Sequence, residues 1–140
     1  MALADLLLGA DRRRRLWVEA GAVMIAVDTL VHNFLRRTGI LARLDAAPLY
    51  GRGCYAAGGC AEILEMIAGR IDARRFNPRF PANFPRLVQH AIWRFCAEDG
   101  LDHCHGRQID DRFRCDRAEC AVFGSCDRVP LKPERSKEDD

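Results

Sequence analysis

Apolar residues recur at helical spacing along the first third of the chain. Leu3, Leu6, Leu7 and Leu8 form a short run that predicts a lead-in helix. Beyond the polar residues 11–15, Leu16, Ala20, Val23, Val27, Leu30, Val31, Phe34 and Leu35 follow the period of one helix of about five turns. Asp11 is placed to cap its start and Gly39 to stop it. Inside it, residues 20–27 are apolar all round except at Gly21, which predicts a deeply buried element; a run this short also fits a strand. Pro48, Gly51, Gly53, Gly58 and Gly59 break residues 45–59 into a loop. A further helix is expected over residues 61–74, with Ile63, Leu64, Ile67 and Ile71 on one face.

Pro78, Pro81 and Pro85 forbid a helix through residues 76–85, and Phe76, Phe80 and Phe84 are its candidate anchors to the core. Asn83 can cap the next helix, with Pro85 in its first turn. Leu87, Val88, Ala91, Ile92 and Phe95 give that helix its buried face, and Gly100 ends it. Past residue 100 the periodicity fades, apart from a short helix expected over residues 118–123. Residues 130–140 lack an apolar pattern after Leu131 and read as a disordered tail. The pattern as a whole predicts an all-α fold: a small bundle of four to five helices in a single domain, residues 1–129. Its C-terminal part, residues 96–126, is a loop-rich cysteine segment suited to a metal or cluster.

Composition supports one domain. The chain has 140 residues, and 49% hydrophobic content is enough for a core. A net charge of +2 exerts no global pull on nucleic acid. The basic residues are nevertheless lopsided: 20 Arg and 2 Lys, the lysines being Lys132 and Lys137. Arginine favours bidentate contacts to carboxylate or phosphate, although GC-rich coding produces the same bias. Arg12, Arg13, Arg14 and Arg15 stand at an expected helix start, where positive charge opposes the helix dipole and favours a bound anion. Arg74, Arg75, Arg79 and Arg86 interleave with the three phenylalanines, a pattern suited to single-stranded nucleic acid. These arginines make DNA a candidate partner. The tetra-arginine follows the apolar start, the wrong order for a secretion signal, and the run 20–27 is too short for a bilayer. A cytoplasmic protein without a membrane partner is therefore expected.

Five of the seven cysteines fall between Cys96 and Cys126. Cys104, Cys115, Cys120 and Cys126 lie among Arg and Asp residues with little to pack, unlike cysteines that fill a core. In a reducing compartment such clustering points to metal ligands or redox groups. Four thiolates can surround one Zn2+ ion or one [4Fe-4S] cluster. The paired Cys-x2-Cys knuckles of zinc ribbons are missing. His103 and His105 flank Cys104 and are alternative ligands, as are Cys96 and the pair Cys54 and Cys60, which frames the second half of the glycine-rich loop. Three functions follow from this segment: a cluster-bearing protein associated with DNA, a zinc-stabilised interaction protein with a protein partner and no catalysis, or a redox or cluster carrier.

A second motif bears on the choice. Ile25-Ala26-Val27-Asp28-Thr29-Leu30-Val31, followed by Arg37, Gly39 and Ile40, resembles the catalytic-aspartate segment of the endonuclease III family of base-excision DNA glycosylases. The resemblance covers about 16 residues, with the cysteine region loosely aligned behind it. It implies an all-helical fold, a four-cysteine [4Fe-4S] loop and a catalytic role for Asp28. Of the family's Cys-x6-Cys-x2-Cys-x5-Cys spacing, the interval from Cys120 to Cys126 agrees. The family's Gly-x-Gly turn upstream of the aspartate is replaced by Leu7-Leu8-Gly9-Ala10-Asp11-Arg12. No lysine precedes Lys132, which excludes lysine-dependent lyase chemistry and leaves a monofunctional glycosylase-like activity. Read without the family, Asp28 is either a helix-surface aspartate or the N-cap of a new helix starting at Thr29, and His32, one turn on, can share a metal or proton with it.

Overall fold

The computed structural model describes residues 2–132. Six α-helices carry the fold: α1 Ala2–Leu8, α2 Arg15–Val23, α3 Thr29–Arg37, α4 Ile40–Arg43, α5 Cys60–Ala68 and α6 Pro85–Cys96. Single 3-10 turns lie at Arg52–Tyr55, Ala73–Arg75 and Phe123–Ser125, and no strand occurs among the described residues. The all-α class is as the periodicity predicts. No helix among these residues is long and apolar enough to cross a membrane. The expected disordered tail falls largely on residues 133–140, outside the described residues.

The expected five-turn helix is two helices. Asp28 accounts for the break: its Oδ1 accepts the Val31 N–H at 2.9 Å and so starts α3 afresh. A side chain that bonds its own downstream backbone competes with helix continuation. Asp11 does not cap α2; it folds back onto the N–H and guanidinium of Arg13, and the helix begins later, at Arg15. Nor is the run 20–27 uniformly buried. Gly21, Ala22 and Val27 are buried, while Ala20 and Val23 face solvent. Gly21 is where α1 crosses: a Cβ there would sit 2.9 Å from the Ala4 carbonyl and 3.0 Å from Leu7.

The main core gathers Val27, Val31 and Leu35 with Leu41, Cys54, Cys60, Ile63 and Leu64, covered by Val88 and Ile92 of α6. Thus α3, α5 and α6 form its centre. The helix expected over residues 61–74 stops at Ala68, and the chain then turns into the 3-10 turn Ala73–Arg75. In the proline loop, Phe84 is buried and meets Phe80 edge-on at 5.2 Å, but Phe76 is exposed. Phe84, not Asn83, stands at the N-cap of α6, without a side-chain cap; Pro85 opens the helix. Proline in the first turn lacks one of the N–H groups that a helix start leaves unpaired. Ala91 faces solvent rather than the core, and α6 ends at Cys96, before Gly100.

After α6 the chain is irregular, and the helix expected over residues 118–123 is replaced by turns. This segment docks on the C-terminal end of α3. The N–H groups of Asp127 and Val129 donate to the carbonyls of Thr38 (3.1 Å) and Arg37 (2.9 Å). Those carbonyls belong to a helix end that needs outside partners. Gly39, at φ 82°, adopts a left-handed conformation here, and the Asp127 side chain occupies the space a Cβ would need.

Candidate metal centres and an arginine groove

The fold presents two separate groups of cysteines, both packed against α3. The first is built from the glycine-rich loop. A Cβ at Gly59 would collide with the carbonyls of Gly53, Cys54 (2.7 Å) and Ala56 (2.8 Å), so only glycine lets the loop close on itself here. The Gly58 N–H donates to Glu62 Oε2 at 2.7 Å, which ties the loop to the first turn of α5. Cys60 begins α5, and Cys54 lies in the preceding 3-10 turn. Both sulfurs face His32 from α3, each 3.4 Å from its Nδ1. The three residues are buried, and their ligand atoms form a group able to hold a metal ion. Burial, helped by the Arg36 charge, lowers the His32 pKa and keeps the ring neutral, the form that binds metal. Burial and the adjoining Cys54 push the Cys60 thiol up to about 12, so a cation must displace its proton.

The second centre lies at the opposite end of α3. Cys104, Cys115, Cys120 and Cys126, the ligands read from the sequence, line one small cavity with His103, Arg37 and Arg128. No three of these sulfurs lie within 4.8 Å of one another among the described residues. The Cys126 sulfur accepts the Arg128 N–H at 3.3 Å. Burial raises its pKa, and the neighbouring Cys104, Cys115 and Cys120 raise it further. Cys104 is lowered to about 7, mainly because the Cys96 thiol donates to it, with the Arg37 charge assisting. The same bond pushes Cys96 upward. Cys96 therefore stands behind Cys104 rather than on the cavity wall.

Arg37 is the unusual member. It is almost wholly buried and pairs with Asp111 at 2.5 Å. Its Nε and Nη1 are buried without a hydrogen-bond partner, as is Nε of Arg128. Orphaned guanidinium groups are costly unless an anion meets them. His105 is engaged elsewhere, with Nε2 on Asp102 and Nδ1 accepting the Arg107 N–H at 3.1 Å.

Asp28 is a half-buried N-cap of α3 and is not among the residues lining the thiol cavity. The Nδ1 of its neighbour His32 faces the cysteines, and Asp28 is not in the group of metal-capable residues that His32 joins. The arginines divide. Arg12, Arg15, Arg74 and Arg79 line one open groove of about 570 Å³, together with Phe80 and Asn83. Arg13 is held by Asp11, Arg14 stacks over Trp17 at 4.2 Å, and Arg75 lies outside the groove lining. The centre that sequence reasoning did not assemble is the His32 group. Cys54 and Cys60 stood out as a pair, but His32 lies 22 residues before Cys54, on a helix face otherwise used for packing. No family model matches the sequence, and neither the curated proteins nor the solved structures give a match.

Proposed function

We propose that this helical metal-binding protein carries a [4Fe-4S] cluster held by Cys104, Cys115, Cys120 and Cys126. The observation behind this reading is the meeting of four thiols with the unpaired N–H groups of Arg37 and Arg128 around one cavity. The donor set suits the cluster. One zinc ion draws four sulfurs to roughly 3.8 Å from each other, closer than these stand. A cubane spreads its thiolates over a larger body and keeps net negative charge, which the orphaned guanidinium groups can meet. N–H bonds to sulfur, such as that from Arg128 to Cys126, are among the levers that set a cluster's potential. The cluster's role is to close a segment that has almost no apolar core of its own.

Association with DNA is the accompanying reading, favoured by the convergence of Arg12, Arg15, Arg74 and Arg79 on one groove beside Phe80. Asp28 as a glycosylase-like catalyst rests on the resemblance alone. Anaerobic purification tests the cluster: a brown protein containing iron and sulfide in equal amounts is expected. A colourless protein with zinc bound by all four thiols would sink it. Duplex binding that weakens steeply with salt, and further on Arg12→Gln plus Arg79→Gln, is expected of the groove; no binding at low salt removes the DNA reading.

A further inference from the structure

We infer that His32, Cys54 and Cys60 form a second metal site, a zinc site independent of the C-terminal thiol loop. Both N···S separations are 3.4 Å. A tetrahedral ion with Zn–S about 2.3 Å and Zn–N about 2.0 Å separates nitrogen and sulfur ligands by roughly 3.5 Å. The side chains already hold the two nitrogen–sulfur edges of such a tetrahedron. Two thiolates and one imidazole are a ligand set suited to zinc.

Two sulfurs converge at equal distance on one imidazole nitrogen, which accepts or donates a single bond, while the Cys54 thiol also reaches the Leu49 carbonyl at 3.9 Å. The convergence brings three metal-ligand atoms together in a buried spot. The loop is also built to hold this placement. Gly59 has no room for a Cβ, because the carbonyls of Gly53 and Cys54 stand against it, and this closure brings residues 54 and 60 to one spot. A hydrophobic core would fill the same space with less constraint.

On binding, Zn2+ displaces the proton of each thiol to solvent and takes the imidazole as a neutral donor, with no change of oxidation state. The fourth tetrahedral position is left for water or a small exogenous ligand, since no fourth His, Cys, Asp or Glu joins the group among the described residues.

The full-length chain, purified under reducing conditions with iron and zinc counted separately, tests the assignment. About one zinc per chain is expected, whatever the iron content. Cys54→Ser with Cys60→Ser should lose that zinc and keep the iron. Zinc retained by this variant would overturn the site. Should the variant fail to fold, zinc-edge X-ray absorption on the wild-type protein decides. A first shell of two sulfurs with nitrogen or oxygen is the expected result, and four sulfurs would place the ion in the C-terminal loop and refute the inference. A Cys54–Cys60 disulfide, or no uptake of added Zn2+, would refute it equally. Loss of iron alone bears on the cluster and not on this site.

Discussion

Two adjacent glycines set the geometry of the His32 group, and they do so for different reasons. Gly58 has φ 73° with open space where its Cβ would be. Gly59 has ordinary extended backbone but sits against three carbonyls. Gly58→Ala should therefore cost only the left-handed backbone penalty, about 1–2 kcal/mol. Gly59→Ala must push backbone apart and should cost more, about 2–3 kcal/mol at the upper end of overpacking penalties. It should also weaken zinc retention, whereas Gly58→Ala should leave retention near the wild-type level. Urea unfolding and zinc content of both variants check the order; equal effects would mean that the loop closes differently. The paired glycines are visible in the sequence as a loop signal. The crowding that requires the second one depends on how the chain folds back, and no local pattern carries that.

At the scale of elements, α3 joins the two sulfur centres, and its start is decided by one side chain. The apolar period runs from Leu16 to Leu35, but only its second half is buried, at Val27, Val31 and Leu35, while Leu16, Ala20 and Val23 face solvent; periodicity does not register a break that restarts in phase. The competing signal was local: Asp28 before Thr29 is a cap, and its bond to the Val31 N–H wins over continuation. Asp28→Ala should destabilise the chain by about 1 kcal/mol, while Asp28→Asn, which still offers an oxygen, should stay close to wild type in urea unfolding. A loss on Asp28→Asn as large as on Asp28→Ala would show that the charge serves more than the cap. The same helix explains why one group of cysteines stands out in the sequence and the histidine of the other does not. Cys104, Cys115, Cys120 and Cys126 are conspicuous because their surroundings are polar, and all four line one cavity. His32 was obscured because it sits in an apolar helix face, between Val31 and Leu35.

Across the whole molecule, the irregular C-terminal segment is attached through Arg37. The guanidinium reaches Asp111 in that segment, the Arg37 carbonyl receives the Val129 N–H, and the side chain, with Nε and Nη1 unpaired, lines the thiol cavity. A buried cation needs an anion, and Arg37 has one certain partner and one proposed partner. Removing one member of a buried pair costs about 3–5 kcal/mol, because the other charge is left stranded. Asp111 retains some exposure, at 15%, which places the expected loss for Asp111→Asn in the metal-free protein near the lower end, about 3 kcal/mol. With the anionic cluster in place, Arg37 keeps a partner after the substitution. The loss should then shrink by more than half, because the two anions share one cation. Anaerobic urea unfolding of wild type and Asp111→Asn, each with and without the cluster, measures this coupling. An equal loss in both states would mean that Arg37 does not face the cluster, and the unpaired nitrogens would need another anion. A smaller loss in the loaded state would tie the docking of the C-terminal segment to the metal, so that losing the cluster loosens residues 104–129 before the helical core.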